Sequence, residues 1–185
     1  MDITTAGVVR RMFLSFLRGL FQVFEDGFPP FISSAGGLMP EKAVFDFGLF
    51  TGGLVMIFLS FGIFHRTKPD GRRRKICNVI SLITGIIIGF SMMQIVAHPF
   101  NSSVIMHVFW AMNIFWAAQF WIATLAYSRG LIDADVKWKG WSINRIRWGM
   151  FAVSVLSFNA MSLFIATGHL VESAIFECTL TFSAE

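Results

Sequence analysis

Residues 76–97 read ICNVISLITGIIIGFSMMQIVA and contain no Asp, Glu, Lys or Arg. As a helix this stretch is long enough to cross a hydrocarbon core of about 30 Å, because a helix rises about 1.5 Å per residue. The backbone finds no water to bond in lipid, so a crossing segment must be helical. Three further apolar stretches qualify by length, at residues 43–65, 104–128 and 149–168.

The composition of the whole chain agrees with a membrane location. Hydrophobic residues make up 55% and charged residues 14% of the 185 residues, and mean hydropathy is +0.66. A soluble domain cannot bury so much apolar surface, and disordered chains are polar and poor in aromatic residues. We therefore predict an all-α fold, a polytopic transmembrane helical bundle with four clear spans.

Basic residues predict the orientation of this bundle. Residues 66–75 carry six Lys or Arg and residues 129–148 carry five, whereas residues 25–42 carry only Lys42. By the positive-inside rule, the two basic connections are cytoplasmic. Membrane topology therefore accounts for the net charge of +4, and nucleic-acid binding is not needed to explain it. The sequence also contains no nucleic-acid recognition motif.

Two terminal segments are too short or too charged to be clear spans. Residues 12–24 contain Arg18, and residues 170–183 contain Glu172 and Glu177. We predict a short or amphipathic N-terminal helix within residues 1–27 and a transmembrane bundle domain over 28–185. The bundle would end in a truncated, membrane-embedded C-terminal helix.

The connector before the first span has a distinctive sequence, FPPFISSAGGLMPE at residues 28–41. Pro29 and Pro30 bar a helix, and Pro40 and Glu41 suit the first turn of the next one. An ordered connector is one interpretation. The spacing also resembles the P-x-I-S-x-x-G-x-x-x-P-E signature of the DRAM/FRAG/Sfk family of membrane proteins. The signature residues here are Pro30, Ile32, Ser33, Gly36, Pro40 and Glu41.

Weaker similarities to this family follow along the chain. His107 near the start of the third span and Glu177 in the last segment resemble positions of family motifs, although Cys178 stands where the family usually has Trp. The family normally has six spans, so the resemblance implies a DRAM-like chain that is shortened at both ends.

The resemblance implies a non-enzymatic, multi-pass protein that modulates autophagy at lysosomal membranes through lipids or partner helices. It favours lysosomal or other endomembranes over the plasma membrane. One alternative is a factor for GPI-anchor or phospholipid remodelling in the secretory pathway, and another is a small subunit of a larger membrane complex. We expect membrane lipids and partner transmembrane helices as partners, and no nucleic acid. We also expect no metal and no cofactor, since no catalytic or metal-binding motif occurs.

Two sets of residues are candidates for specific roles. The topology places Asp46, His107 and Glu177 near the luminal side, where they could bind a lipid headgroup or sense pH; carboxylates hydrated at the interface are the alternative. Gly48 and Gly52, and Gly85 and Gly89, have the small-residue spacing that permits close helix packing. Polar residues within the spans, such as Asn78, are expected to bond across helices.

Overall fold

The computed structural model describes residues 41–99 and 102–167, together with positions 175 and 179. Four long helices dominate this part of the chain, and a short antiparallel hairpin precedes the last of them. The helices are α1 (Glu41–Arg66), α2 (Arg72–Ala97), α3 (Val104–Arg129) and α4 (Ile143–Ala166), and the strands are β1 (Lys137–Trp138) and β2 (Trp141–Ser142). All four helices are long and apolar enough to cross a membrane. The all-α, polytopic bundle is therefore confirmed.

The helices extend beyond the apolar stretches that predicted them. α2 begins at Arg72 rather than at residue 76, and α4 begins at Ile143 rather than at residue 149. Long basic side chains reach polar surroundings while their backbone stays helical, so charged residues can belong to the end of a spanning helix. The segment 1–27, the connector up to residue 40 and most of the final segment lie outside the described residues.

The four helices pack in chain order. α2 packs against both α1 and α3, and α4 packs against α3. One buried cluster joins Ile88 of α2 to Ala117 and Ala118 of α3. A second joins Phe158 and Met161 of α4 to side chains of α3.

The outer faces of the bundle are apolar. Phe47 and Phe58 of α1 are each 73% exposed, and Leu156 of α4 is 70% exposed. A soluble bundle would bury such side chains. Their exposure is what a surface in contact with lipid or with a partner helix requires.

Glycines bring α1 and α2 into backbone contact. A Cβ built on Gly53 would lie 2.5 Å from the carbonyl oxygen of Gly89, and a Cβ on Gly89 would overlap the carbonyl of Gly53. A Cβ on Gly52 would lie 3.0 Å from Met92, and one on Gly85 would overlap Ser60. Gly48 has nothing within 4 Å of its Cβ position. The closest approach therefore involves Gly53, one residue past the sequence motif.

Most polar side chains of the spans bond back to their own helix. Ser81 donates to the carbonyl of Asn78 at 2.8 Å, and Thr84 donates to the carbonyl of Ile80 at 2.9 Å. Asn78 does cross between helices, because its Nδ2 donates to the carbonyl of Phe64 in α1 at 3.3 Å. Back-bonding satisfies a short hydroxyl within its own helix, and packing of small residues then joins the helices.

This packing predicts different effects for two glycine substitutions. Gly89→Ala should lower the free energy of unfolding by about 1–3 kcal/mol, because its Cβ meets backbone that cannot move aside. Gly48→Ala is the matched control and should leave stability unchanged or raise it by up to about 1 kcal/mol through helix propensity. Unfolding of the purified chain in detergent measures both. Equal stability of the two variants would contradict the close approach.

Candidate functional site

A buried carboxylate organises the end of the bundle where α1 and α3 finish and α2 and α4 begin. We call this the basic end, residues 66–75 and 129–148. Asp133 is 6% exposed and accepts hydrogen bonds from two arginines. Nε and Nη2 of Arg129 donate to its two oxygens at 2.8 and 2.9 Å, and Nη1 of Arg147 donates to Oδ2 at 2.7 Å.

Local backbone geometry places these three side chains together. The chain continues as a helical turn past α3, since the backbone N–H of Asp133 donates to the carbonyl of Arg129 at 2.9 Å. Residues four apart share one side of such a turn, which sets the carboxylate beside the Arg129 guanidinium. Arg147 lies one turn into α4 and closes the cluster from the other side.

The same cluster extends to α1 and α2. Nη1 of Arg129 donates to the hydroxyl of Thr67 at 2.9 Å, and Thr67 follows α1 directly. The carbonyl of Thr67 in turn accepts from Asn78 of α2 at 3.2 Å. A chain of hydrogen bonds therefore ties all four helices together at the basic end.

Arg74 makes a second link between α2 and α3. Its Nη1 donates to the backbone carbonyl of Tyr127 at 2.8 Å, and its guanidinium lies 5.1 Å from the centroid of the Tyr127 ring. These contacts bring both basic connections to one end of the bundle. That arrangement is the one the positive-inside pattern requires.

The two arginines favour the charged form of the buried Asp133 carboxyl. The pKa of the Asp133 carboxyl is below its ordinary value, mainly because Arg129 donates hydrogen bonds to the charged form. Burial acts in the opposite direction, and the hydrogen bond from Arg147 lowers the pKa further. The carboxylate is thus a fixed negative charge that holds two cations in place.

The hairpin presents two tryptophans at this end. Lys139 and Gly140 form its turn with φ of 47° and 85°, as a two-residue turn of type I′ requires. Trp138 and Trp141 are paired across the strands and are 58% and 66% exposed. Tryptophan on an exposed surface beside lysines is typical of a membrane–water interface.

The predicted luminal cluster is described only in part. Asp46 forms an ion pair with Lys42, one turn earlier in α1. His107 is 4% exposed, and its Nδ1 lies 3.0 Å from the carbonyl oxygen of His98. A carbonyl only accepts, so Nδ1 carries a proton. Among the described contacts, Asp46 pairs with Lys42 and not with His107.

Glu177 and most residues of the signature lie outside the part of the chain that the structure describes. Glu177 is outside the described residues, so a cluster of Asp46, His107 and Glu177 stays a prediction. Pro30, Ile32, Ser33, Gly36 and Pro40 of the signature also lie outside the described residues, and Glu41 is the first residue of α1.

Sequence reasoning did not identify Asp133 or Thr67. The spacing of Arg129 and Asp133, four residues apart just after a span, is a signal that could have found the first pair. The contacts with Thr67, 62 residues away from Arg129, and with Arg147 depend on how the helices pack.

A family model described as the Frag1/DRAM/Sfk1/Cwh43P N-terminal domain matches residues 5–184. The chain belongs to this family. The resemblance seen in the sequence motifs is thereby confirmed, and with four spanning helices the chain is an integral membrane protein of the Frag1/DRAM family. No curated protein and no solved structure matches it.

Removal of the buried acid of this Frag1/DRAM family chain should be costly. Asp133→Asn leaves two arginines without their counter-charge and should lower the free energy of unfolding by about 2–4 kcal/mol at pH 7. The exposed Asp135 is the matched control, and Asp135→Asn should change stability little. Thermal unfolding in detergent compares the two, and equal losses would contradict the role of the cluster.

The lowered pKa also predicts a pH dependence. A carboxyl whose pKa is lowered in the folded state stabilises it above the unfolded pKa, about 3.9 for Asp. That stabilisation is lost as the pH falls through the folded-state pKa. Unfolding measured from pH 7 to pH 3 should show a smaller acid-induced loss in Asp133→Asn than in the unmodified chain. Parallel curves would show that Asp133 does not contribute.

Proposed function

We propose that this chain is a non-enzymatic, DRAM-type modulator of autophagy in lysosomal or other endomembranes. It acts through partner transmembrane helices and through membrane lipids. Membership of the Frag1/DRAM family supports the class of protein. The mode of action is supported by the outer surface of the described helices, which is apolar and broad.

The observation that carries the partner-helix proposal is the position of Asn159. This side chain is exposed on α4, and its Nδ2 donates to the carbonyl of Val155 at 2.7 Å. Asn159 lies about 15 Å along the helix from Gly149, where the apolar part of α4 begins, and so near the middle of a 30 Å core. An amide there has no water to bond.

A partner helix would satisfy this amide. Leu156 and Leu163 flank Asn159 on the same side of α4 and are 70% and 61% exposed. The combination of a central polar group with apolar neighbours is suited to a helix–helix interface in lipid, where such a polar contact contributes about 0.6–2 kcal/mol. Lipid contacts alone would leave the amide oxygen without a donor.

The proposal predicts a selective loss of function. In cells that lack the chain, the unmodified chain should restore autophagic flux and should localise to lysosomes or other endomembranes. Asn159→Ala should reach the same membranes but restore flux poorly, because it removes the polar contact. Val153→Ala, at an exposed position about 120° away from Asn159 around α4, is the matched control and should restore flux.

Lipid analysis of the same cells separates the alternatives. Unchanged GPI-anchor lipids with altered flux would support the autophagy proposal. Altered GPI-anchor or phospholipid composition with normal flux would favour a remodelling factor. Full restoration by Asn159→Ala would contradict action through this side of α4.

A further inference from the structure

Four consecutive basic residues, Arg72 to Lys75, begin α2, and no acidic residue occurs in its first turn. Their roles differ. Arg74 is bound to the carbonyl and ring of Tyr127. Within the described residues, Arg72, Arg73 and Lys75 have no ion pair or hydrogen bond of their side chains, and all three are exposed. Arg129 and Arg147 differ from them, because both are held by Asp133.

Two of these unpaired cations stand at the mouth of a groove. The groove has a volume of about 540 Å³, and the described residues that line it are Arg72, Lys75, Ile76, Val79 and Ile80. These positions are spaced i, i+3, i+4, i+7 and i+8, so they form one face of α2. The cations come first, and Val79 lies about 6 Å deeper along the helix than Lys75.

The apolar part of this face is open. Ile76 is 49%, Val79 45% and Ile80 37% exposed. A second groove of about 350 Å³, lined by Arg73, Ile76, Cys77 and Tyr127, runs along the other side of Ile76. Two adjacent, shallow apolar grooves, each lined by at least one unpaired cation, therefore offer contact surface for lipid chains.

We propose that this face of α2 binds an anionic phospholipid. Arg72 and Lys75 contact the headgroup phosphate, and Ile76, Val79 and Ile80 contact an acyl chain. Charge complementarity selects the headgroup: two unpaired cations favour a lipid with net negative charge and disfavour the added cation of a choline headgroup. The apolar depth below the cations selects a lipid over a soluble phosphate ester.

This inference rests on the proposed function in one respect, namely that the chain acts through membrane lipids. It adds the class of lipid and the site that binds it. Binding is measured without reference to autophagy. The two proposals can therefore fail separately: Asn159→Ala should retain lipid binding even where it fails to restore flux.

The test uses the full chain in phosphatidylcholine nanodiscs with phosphatidylserine as the minor component. The measured quantity is the enrichment of phosphatidylserine around the protein, from energy transfer between a site-specific label and fluorescent lipid. Arg72→Gln with Lys75→Gln should reduce the enrichment roughly tenfold, which corresponds to about 1.4 kcal/mol, since both side chains that contact the phosphate lose their charge. Both side chains are exposed and unpaired among the described contacts, so folding should be retained.

Lys137→Gln with Lys139→Gln is the matched control. It removes the same charge from the same end of the bundle but leaves the groove intact, and enrichment should stay near that of the unmodified chain. An equal reduction in both double variants would overturn the proposal in favour of diffuse surface charge.

A third variant tests the apolar half of the site. Val79→Trp keeps every cation and fills the groove, so it should also reduce the enrichment. Unchanged enrichment would overturn the proposed acyl-chain contact. Soluble glycerophosphoserine should compete weakly with the lipid; competition as strong as that of phosphatidylserine would identify a site for free anions and overturn the lipid assignment.

Discussion

The Asp133 carboxylate is the interaction on which the basic end of the bundle depends. It accepts hydrogen bonds from Arg129 and Arg147, and Arg129 also binds Thr67. In the lipid-facing part of the bundle, van der Waals packing holds the helices together, and no hydrophobic effect favours helix over lipid. Hydrogen bonds between charged groups require a defined geometry, which van der Waals packing does not. The cluster at the membrane boundary therefore fixes α4 and the hairpin relative to α1 and α3.

The sequence predicts the spanning helices well because the cost of unbonded backbone in lipid leaves one structural solution for a long apolar stretch. Hydropathy marks where a helix meets lipid and not where the helix ends. This is why α2 and α4 begin four and six residues before the predicted spans, at Arg72 and Ile143. The hairpin at residues 137–142 depends on the Lys139-Gly140 turn. Hydropathy identifies this connection as charged but carries no information about the geometry of its turn.

The contacts between helices were harder to predict, because sequence spacing does not fix how a helix is rotated about its axis. The Gly48 and Gly52 spacing indicated one side of α1, yet the backbone of α2 comes closest at Gly53. Likewise, the pairing of Asp133 with Arg129 is local, whereas its pairing with Arg147 exists only after α4 has packed. Close approach and burial are products of the assembled bundle, and a single sequence carries little information about either.

The structure also divides the cations that the positive-inside rule counts as equal. Within the molecule, hydrogen bonds or ion pairs hold Arg74, Arg129 and Arg147. Among the described contacts, no such bond holds the side chains of Arg72, Arg73 and Lys75, which can therefore bind external groups. This division depends on one acid: without Asp133, two more guanidinium groups would add their charge to the same surface. A negative charge buried in the bundle therefore limits how strongly the basic end attracts anionic membranes, because it neutralises two arginines within the molecule.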